Sequence, residues 1–424
     1  MEKVLTKNIR PGHEPLGIEE YEKAGGYQGL RKALKMAPLE IQDWVTKSTL
    51  KGRGGAGFSA GRKWSVSPMG PDARHPKYLI VNADEMEPGT MKDRLLMEGD
   101  PHQLIEGTMV AAYAVQADVV YIFLRWAYKL SEQRLRKAIA EAYAKNYAGK
   151  NVLGSGWSCE LFIHVSAGRY MCGEASGAIN AIQGKRATPR QRPPRAAVSA
   201  LWGMPTIVNN VETLCNVHHI VNHGWEWFKK LGRTDEGGTK IYGVSGRVNR
   251  PGLWELPMGT PARELIEEHA GGIKDGGRFR GALPGGASSY FMVEQHLDTP
   301  MDFSSMEKAG CRLGTGTMIV LDDKVCPVSM IYSLQLFFAR ESCGWCTPCR
   351  EGLPWVTKAV QRIEEGKGTQ QDLDVLDLHV RWLRDDNTFC ELAPGAMMSL
   401  ETGLKYYRQD FERHIAEKRC PWKH

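Results

Sequence analysis

The chain has 424 residues, 42% of them hydrophobic and 25% charged, with a formal net charge of +6. These values are typical of a globular protein with roughly two to four domains, and the scattered basic residues do not indicate a nucleic-acid partner. The first residues lack the apolar core of a signal peptide. The longest apolar stretch, residues 109–124, is interrupted by Gln116 and Asp118, whereas a membrane-spanning helix needs about 20 apolar residues. We therefore expect a cytoplasmic protein, with any membrane attachment made through partners.

The first predicted elements are an extended arm over residues 1–17 and two helices, Glu19 to Lys35 and Pro38 to Thr46. After a glycine-rich segment, the apolar run of residues 78–84 ends in polar residues. That profile predicts a buried parallel strand whose carboxyl end reaches a site.

Helices and strands then alternate, which predicts an open α/β sheet. They are a helix over 103–116, a strand over 119–124, a helix over 131–148 and a strand over 160–165. A helix of about ten residues follows Glu174, and another strand or loop end over 202–213 leads into a helix.

The composition changes near Gly237, where short strands, frequent glycines and one helix (Ala262 to His269) predict a small mixed α/β domain of ubiquitin-like size. The remaining chain is predicted to be helical. Its helices are Met330 to Arg340, Trp355 to Glu365, Gln371 to Arg384 and Gly395 to Glu417. We expect three domains, with boundaries at 1–236, 237–328 and 329–424.

Three cysteines, Cys343, Cys346 and Cys349, follow one another at C-x2-C-x2-C spacing, and Cys390 follows in a later segment. Four thiolates in this arrangement fit an iron–sulfur cluster held in a helical bundle. Zinc sites more often pair their cysteines as two C-x2-C units, and disulfides are disfavoured in a reducing compartment. Zinc and plain buried cysteines remain alternatives. The spacing indicates electron transfer without identifying donor or acceptor.

The other cysteines have no ligand spacing, and we expect them to be buried or unligated thiols. They are Cys159, Cys172, Cys215, Cys311, Cys326 and Cys420.

Residues 52–57 read Gly-Arg-Gly-Gly-Ala-Gly, which matches G-x-G-x-x-G. A Rossmann fingerprint would follow a strand and open a helix, but here a predicted helix precedes the loop and the strand comes after it. A different glycine loop that contacts a flavin or nucleotide fits better. A standard Rossmann loop and an ordinary glycine turn remain alternatives. The acids Asp84, Glu85 and Glu87 form one loop, which is typical of a hydrogen-bonded turn rather than a divalent metal site.

Taken together, these segments resemble the flavin-containing, NADH-oxidising subunits of respiratory complex I, and the resemblance runs from about Gly17 to Tyr407. The segments are Gly52–Phe58, Asn82–Thr90, Tyr170–Glu174, Val208–Thr213 and Cys343–Cys349 with Cys390. The resemblance implies an α/β, Rossmann-like FMN domain, a small ubiquitin-like domain and a helical 4Fe–4S domain.

The resemblance also implies the cofactor-binding residues. For FMN they are Gly52, Arg53, Gly54, Gly55, Ala56, Gly57, Asn82, Asp84 and Glu85 at the ring and ribityl chain, Tyr170, Gly173 and Glu174 lining the ring, and Val208, Asn209, Asn210 and Thr213 toward the phosphate. Phe58, Lys63 and Glu87 are implied on the NADH side. No catalytic acid or nucleophile is needed, because hydride passes directly to the flavin, with Glu85 and Glu87 near the reacting rings. The cluster ligands are Cys343, Cys346, Cys349 and Cys390.

The implied function is hydride transfer from NADH to FMN, then one-electron transfer to the cluster and through partner subunits to quinone. The implied partners are a thioredoxin-like 2Fe–2S subunit and a larger multi-cluster subunit, at the inner face of the cell membrane. Two alternatives are a diaphorase subunit of an NAD-dependent hydrogenase or formate dehydrogenase, and a repurposed paralogue with weakened NADH binding that is fed by a protein electron donor.

Several positions depart from the family pattern around the expected nicotinamide side. Val66 and Arg195 stand where the family has aromatic residues, and Ala127 and Ala175 stand where it has glutamates. Lost aromatics remove stacking surface and lost carboxylates remove hydrogen-bond acceptors. Five basic residues lie in one short loop: Lys185, Arg186, Arg190, Arg192 and Arg195. This loop is either solvated or binds phosphate or an acidic partner. The nicotinamide specificity therefore stays open.

Overall fold

The structure, a computed structural model, describes residues 2–191, 193–384 and 386–423, so Arg192 of the basic loop lies outside the described residues. Contacts divide the chain into two compact units. The first unit holds the chain up to Met86, Met91–Ile241 and Trp254–Thr260, and the second holds Glu87–Thr90, Tyr242–Leu253 and the chain from Pro261. The finer division into three domains stays a prediction. Among the described residues, no helix is both long and apolar enough to cross a membrane.

The first unit contains ten helices and four complete strands among its described residues. They are α1 (Ile18–Lys23), α2 (Gln28–Ala33), α3 (Pro38–Lys47), α4 (Ala60–Trp64), β1 (Tyr78–Ala83), α5 (Lys92–Gly99), α6 (Pro101–Ala114), β2 (Val119–Leu124), α7 (Lys129–Ala144), β3 (Glu160–Val165), α8 (Ala175–Ile182), β4 (Thr206–Asn210), α9 (Val211–His223) and α10 (Trp225–Lys230).

The predicted parallel sheet is confirmed, with strand order β3-β2-β1-β4. Tyr78 of β1 pairs with Val119 of β2 on one side and with Thr206 of β4 on the other, both in parallel register. Four parallel strands bring their carboxyl ends to one edge. The strand order reverses between β1 and β4, and in open α/β sheets such a switch point is where ligands bind.

The face of the sheet on the α8 side carries a hydrophobic cluster. Tyr78 and Ile80 of β1 pack there with Phe123 of β2, Ile179 of α8 and Leu201. Strand residues that alternate with these belong to the opposite face. Leu79 and Val81 are fully buried there. Burial on both faces explains the near-continuous apolar runs that made these strands visible in the sequence.

The predicted helix from Glu19 to Lys35 is wrong, because the chain breaks it into α1 and α2. A methyl group on Gly26 would lie 2.1 Å from the ring of Tyr21, so this glycine permits a close approach that no other residue allows. Tyr27 follows with φ of +59°, which ends helical geometry. The short helix α5 was not predicted at all.

Hydrogen bonds to one buried carboxylate hold the start of the chain in place. The carboxylate of Glu255, which is buried, accepts hydrogen bonds from the backbone N–H groups of Val4 and Leu5 at 2.8 Å and of Thr6 at 2.8 Å. Thr239 donates to the same carboxylate at 2.6 Å. One buried acid therefore fixes the arm to the first unit.

The remaining elements are β5 (Thr239–Gly246), β6 (Gly252–Pro257), α11 (Ala262–Glu264), β7 (Phe279–Leu283), α12 (Phe303–Lys308), β8 (Thr317–Asp322), α13 (Pro327–Glu341), α14 (Thr347–Glu364), α15 (Gln370–Trp382), α16 (Leu392–Tyr406) and α17 (Arg408–Glu417). The strands form a second sheet of order β6-β5-β8-β7, with β5 parallel and β7 antiparallel to β8. The predicted small α/β domain and helical region are both present.

The single helix predicted from Gly395 to Glu417 is wrong, because Tyr407 separates α16 from α17. Its backbone leaves helical geometry at φ −123° and ψ 21°. Its buried ring packs edge-on against Phe291 at 5.2 Å, and its hydroxyl donates to the carbonyl oxygen of Arg280 at 3.2 Å. These contacts favour a corner over a continuous helix.

Candidate active site and metal centre

The glycine loop is a closed turn between α3 and α4. Lys51 and Ser59 form an antiparallel bridge at its base, and the Gly52 N–H donates to the Phe58 carbonyl at 2.8 Å. Gly55 and Gly57 adopt φ of +111° and +66°, which side chains disfavour. Because the loop lies between two helices, it is not a standard Rossmann turn.

The loop is anchored against the start of α9 and the end of β4. The Arg53 N–H donates to Thr213 Oγ1 at 2.9 Å. The fully buried Arg53 guanidinium donates to the carbonyl oxygens of Gly237 and Thr239 at 3.0 and 3.2 Å. A methyl group on Gly54 would lie 3.1 Å from Asn210 Cβ, so the backbone approaches β4 closely. The loop therefore lies at the β4 side of the switch point.

Hydrogen bonds also connect the ends of β1 and β3 with the segment before α8. Asn82 Nδ2 donates to the Gly173 carbonyl at 3.0 Å, and Asn82 Oδ1 accepts from the Asp84 N–H at 3.2 Å. Ser166 Oγ donates to Asp84 Oδ1 at 3.0 Å. A methyl group on Gly173 would meet nothing within 4 Å, so open space adjoins this backbone.

Two residues of α4 contact the end of β4. Lys63 Nζ donates to the Val208 carbonyl at 3.0 Å. Trp64, fully buried, donates from Nε1 to Asn209 Oδ1 at 2.9 Å. The Lys63 ammonium, which was predicted on the NADH side, therefore lies beside the residues predicted to face the phosphate.

Glu174 begins α8. Its carboxylate accepts the Gly177 N–H at 2.9 Å and the Ser176 hydroxyl, as an N-cap does. Ser176 Oγ in turn accepts the Arg190 N–H at 2.8 Å. The Arg190 guanidinium donates to Asn180 Oδ1 at 2.7 Å, to the Ala200 carbonyl at 2.8 Å and to Gln183. Arg190 thus holds the basic loop onto α8 instead of being solvated.

A buried charge network lies behind the end of β4, and its members were missed from the sequence. Lys92 Nζ lies 2.7 Å from Asp93 Oδ1 and 3.0 Å from Glu212 Oε2, and Lys240 Nζ lies 3.2 Å from the same Glu212 oxygen. Asp93 Oδ2 accepts from Asn210 Nδ2 at 2.6 Å. The network therefore fixes the amide of a predicted flavin residue. No periodic or spacing signal links these positions.

Burial and charge act against each other on these groups. Burial alone would raise the pKa of Glu212, but Lys240, Lys92 and Arg53 outweigh it and hold that pKa below its ordinary value. Burial lowers the pKa of Lys240 to about 8, although Glu212 opposes the shift. For Lys92 burial is outweighed by Asp93 and Glu212, which raise its pKa. Glu212 is therefore the ionised centre of the network.

Glu85 is directed at the start of α5. Its carboxylate accepts the N–H groups of Asp93 and Arg94 at 3.0 and 3.2 Å and the Tyr128 hydroxyl at 3.1 Å. Burial, followed by the nearby charge of Asp93, raises the pKa of Glu85 to about 7. Glu85 therefore changes charge near neutral pH.

Replacing Glu85 with glutamine should weaken the pH dependence of stability. The folded state keeps the Glu85 proton up to about pH 7, whereas the unfolded chain loses it near the ordinary value of 4.5. Stability contributed by this proton is therefore lost as pH rises through that window, by up to about 1.4 kcal/mol per pH unit. Thermal unfolding midpoints measured between about pH 5 and pH 7 should fall less in Glu85→Gln than in the unchanged protein.

The matched control is Glu40→Gln, which removes one exposed carboxylate from α3. It should retain the original pH dependence. Asp100, whose pKa burial raises to about 7, keeps part of the slope in both variants. Identical slopes for Glu85→Gln and Glu40→Gln would show that Glu85 does not titrate in this range.

Not every predicted site residue falls in this group. Glu87 belongs to the second unit, where its Oε1 accepts the Ser288 N–H at 2.6 Å. Phe58 lies in the loop region but is 53% exposed. Tyr170 is half-buried in a short 3-10 turn ahead of α8.

The four cysteines of the predicted cluster lie in the second unit at the ends of three helices. Cys343 follows α13, Cys346 caps α14, Cys349 lies in the first turn of α14, and Cys390 precedes α16. Burial is the main reason that the pKa of Cys390 is raised to about 12. A hydrogen bond from the Leu392 N–H lowers this pKa, and the charges of Cys343, Cys349 and Cys346 raise it. The returning segment therefore lies near enough to the other three thiols for their charges to affect Cys390.

The surroundings of the four thiols suit negative charge once a metal replaces their protons. The amino ends of α14 and α16 lie beside them, and helix amino ends stabilise anions. The Ser342 hydroxyl lies 3.2 Å from Cys349 Sγ. Hydrogen bonds to the sulfurs are among the features that set the reduction potential of a cluster.

Three segments of the chain match known protein families. Residues 45–219 match the Nuo51 FMN-binding domain, residues 241–291 match the SLBB domain, and residues 329–414 match the NADH-ubiquinone oxidoreductase-F iron–sulfur binding region. The chain is thus part of a flavin and iron–sulfur oxidoreductase, with an FMN-binding domain and a 4Fe–4S binding region.

The F subunit of NADH-quinone oxidoreductase from Salmonella typhimurium is 50% identical over 97% of this chain and 93% of its own length. The Escherichia coli counterpart is 50% identical over the same shares. The chain therefore belongs to the family of NADH-quinone oxidoreductase F subunits, and it works together with other subunits of a complex. An NAD+-reducing [NiFe]-hydrogenase in the air-oxidized state is structurally similar, with a TM-score of 0.82 and 31% identity over 95% of this chain and 67% of that one.

The residues present fit both an FMN cofactor and a 4Fe–4S cluster. The glycine-rich loop is closed beside the amino end of α9, and the amino end of a helix suits an anionic cofactor. Four sulfur donors and no nitrogen or oxygen donor among the four predicted ligands fit an iron–sulfur cluster.

Proposed function

We propose that this chain is the electron-input subunit of a complex I-type NADH:quinone oxidoreductase, which takes hydride from NADH and passes electrons singly toward quinone. The observation that carries the proposal is the pairing, in one chain, of a glycine loop at the β1/β4 switch point with four cysteines at the ends of three helices. A two-electron donor and a one-electron acceptor need a carrier that can do both, and FMN supplies that chemistry when bound.

We assign the flavin to the edge formed by the glycine loop, the ends of β1 and β4, and the segment before α8. The assigned residues are Gly52, Arg53, Gly54, Gly55, Ala56, Gly57, Asn82, Asp84, Glu85, Tyr170, Gly173, Glu174, Val208, Asn209, Asn210 and Thr213. The close backbone approach at Gly54 and the open space at Gly173 support this assignment.

Charge at this edge supports the orientation of the cofactor. The amino end of α9, a helix of 13 residues, offers N–H groups and a positive dipole end to a phosphate. Lys63 Nζ, held by the Val208 carbonyl, adds a cation beside them. The phosphate of FMN would therefore lie near Thr213, and its ring would lie toward Gly173.

The chain's own part in hydride transfer is positioning. With no nucleophile required, the residues hold the two ring systems together and exclude water. Asn82 and Asp84 are locked by hydrogen bonds to Gly173 and Ser166, so the ends of β1 and β3 present a fixed wall. We assign Phe58 and Glu87 to NADH, with the exposed ring of Phe58 offering stacking surface.

The departures from the family pattern lie where a ligand could reach them. Val66 is 44% exposed, and Ala127 and Arg195 are exposed as well. Ala175, the first residue of α8, is partly buried against the hydrophobic cluster on that side of the sheet. We propose that these positions weaken the hold on the nicotinamide nucleotide without altering the flavin site.

Restoring family-like residues at two of these positions should tighten NADH binding. The double variant Ala175→Glu with Arg195→Phe adds one acceptor and one stacking ring, and each aromatic stack contributes about 1–3 kcal/mol. We expect the Kd for NADH to fall by roughly tenfold, with flavin content unchanged. Anaerobic titration followed by flavin absorbance gives the Kd.

The control variant must change an exposed position, which excludes the fully buried Ala178 of the same region. Instead, Val198→Phe adds an aromatic ring at an exposed position of the same region. It should leave the NADH affinity unchanged. Equal affinities for the double variant and the unchanged protein would refute the assigned roles of Ala175 and Arg195.

We assign the 4Fe–4S cluster to Cys343, Cys346, Cys349 and Cys390, in the third of three proposed domains, 1–236, 237–328 and 329–424. The partners proposed to take the electrons on are a thioredoxin-like 2Fe–2S subunit and a larger multi-cluster subunit. We place the complex at the inner face of the cell membrane, with this chain attached only through partners.

The deciding experiment uses the chain with its natural partner subunits. After flavin and iron have been quantified, NADH, NADPH or a reduced protein carrier is added under anaerobic conditions. Bleaching of the flavin by NADH is the expected result. If neither nicotinamide bleaches the flavin while a protein donor does, the proposal fails in favour of a repurposed paralogue.

A further inference from the structure

Three buried side chains in the second unit form a group that lies apart in sequence from the four cluster cysteines. Cys326 Sγ, a ring nitrogen of His414 and Cys420 Sγ all lie within 4.8 Å of one another. Cys326 begins α13, His414 lies on α17, and Cys420 follows α17. The two cysteines have no ligand spacing, so sequence patterns did not connect them.

The orientation of the histidine suits a metal ligand. His414 Nδ1 lies 2.6 Å from the Asp410 carbonyl oxygen, which can only accept, so Nδ1 carries the hydrogen. In the neutral ring Nε2 then has a lone pair, and it lies 3.3 Å from Cys326 Sγ. A backbone carbonyl that fixes the outer nitrogen is the usual arrangement around metal-bound histidines.

The surroundings of Cys326 can stabilise a thiolate once a cation is bound, although burial raises the pKa of the free thiol to about 12. Its Sγ accepts the Ser329 N–H at 3.3 Å, and Pro327 stands at the first turn of α13. Because the amino end of a 15-residue helix carries partial positive charge, it stabilises a negative sulfur there. Cys326 is 6% exposed and Cys420 5% exposed, so either thiolate would need a compensating cation.

Neighbouring side chains enclose the group. The Trp422 ring stacks on His414 at 5.9 Å between centroids and an interplanar angle of 18°. Lys423 pairs with the buried carboxylate of Glu364 at 2.5 Å, so that acid's charge is already balanced. The charge of a divalent ion would be cancelled by the two thiolates, so that the ion, the two cysteines and the neutral imidazole together carry no net charge.

We propose that Cys326, His414 and Cys420 form a zinc site. Two sulfurs and one imidazole nitrogen are ligands that zinc prefers, and a bound water can complete a tetrahedral set. Binding one Zn²⁺ forms two Zn–S bonds and one Zn–N bond and releases the two thiol protons, with no change of oxidation state. The ion would join the residues after α17 to the start of α13.

The test uses the full chain in its complex, supplied with zinc during production and then freed of loosely held metal. Element analysis should give about one zinc per chain in addition to the cluster iron. Zinc-edge X-ray absorption should show two sulfurs at about 2.3 Å and one nitrogen at about 2.0 Å, with the remaining ligand light. A sulfur-only shell would place the zinc among the four cluster cysteines and overturn the proposal, as would absence of zinc.

Variants give a second measurement. Cys420→Ser should raise the Kd for zinc at least tenfold in a chelator competition, with iron and flavin contents unchanged. Cys311→Ser, a buried thiol of the same unit outside the group, should bind zinc as before. Thiol labelling of the denatured, unreduced chain tests the other possibility. A disulfide between Cys326 and Cys420 would overturn the proposal, and an unchanged zinc affinity in Cys420→Ser would also do so.

Discussion

Replacing Cys390 with alanine is expected to empty the iron–sulfur site while NADH oxidation at the flavin continues. Cys390 is the fourth ligand that we propose, and it comes from a separate segment ahead of α16. We expect iron content to fall from about four per chain toward zero. Quinone-directed electron transfer should be lost, while reduction of a small artificial acceptor by the flavin persists.

Cys311→Ala is the matched control, since it also removes a buried thiol from the second unit. It should retain the iron and the full electron path. If Cys390→Ala keeps its iron, the fourth ligand has been assigned wrongly. If flavin reduction by NADH disappears together with the iron, the two sites are not separable in the way proposed.

The second large effect is expected at Glu212, where glutamine should destabilise the first unit by about 3–5 kcal/mol. Glu212 is fully buried, and its carboxylate balances the ammonium groups of Lys92 and Lys240 at 3.0 and 3.2 Å. It also accepts the Ile241 N–H at 2.9 Å. Loss of the charge leaves buried cations short of a partner. The thermal unfolding midpoint should fall by roughly 10 °C.

A double variant distinguishes lost charge balance from lost packing. Adding Lys240→Met to Glu212→Gln removes the excess buried cation and should restore part of the midpoint, so that the two changes are not additive. Glu226→Gln, an exposed position on α10, should change the midpoint little. Strictly additive losses would show that Lys240 and Glu212 do not stabilise each other.

The parts of this molecule that could be predicted are those with local signals. β2 and β3 were placed at their observed bounds because parallel strands buried on both faces read as short apolar runs between polar turns. The cysteine spacing predicted an iron–sulfur site because Cys343, Cys346 and Cys349 lie within seven residues of one another in the sequence. The glycine loop was correctly separated from a Rossmann turn because a helix, α3, precedes it.

The parts that could not be predicted depend on contacts between distant segments. Nothing near Gly26 reveals that the Tyr21 ring packs against it, yet this contact divides the predicted helix. Glu212 and Lys92 are ordinary helix residues in sequence and become an ion pair only when α5 and α9 pack. Cys326 and His414 are joined in the same way. Charged residues give no periodic signal when they are buried.

Arg53 has a further consequence for ligand affinity. Its guanidinium donates to two carbonyl oxygens and its backbone N–H donates to Thr213. These contacts within the protein hold the glycine loop in one conformation. A ligand that binds above such a loop does not have to freeze a mobile glycine segment, and little conformational entropy is lost on association. Flavin affinity would thus depend on an arginine side chain that is buried within the first unit. Amide hydrogen exchange at Gly52 and Arg53 should be slow even in the flavin-free protein.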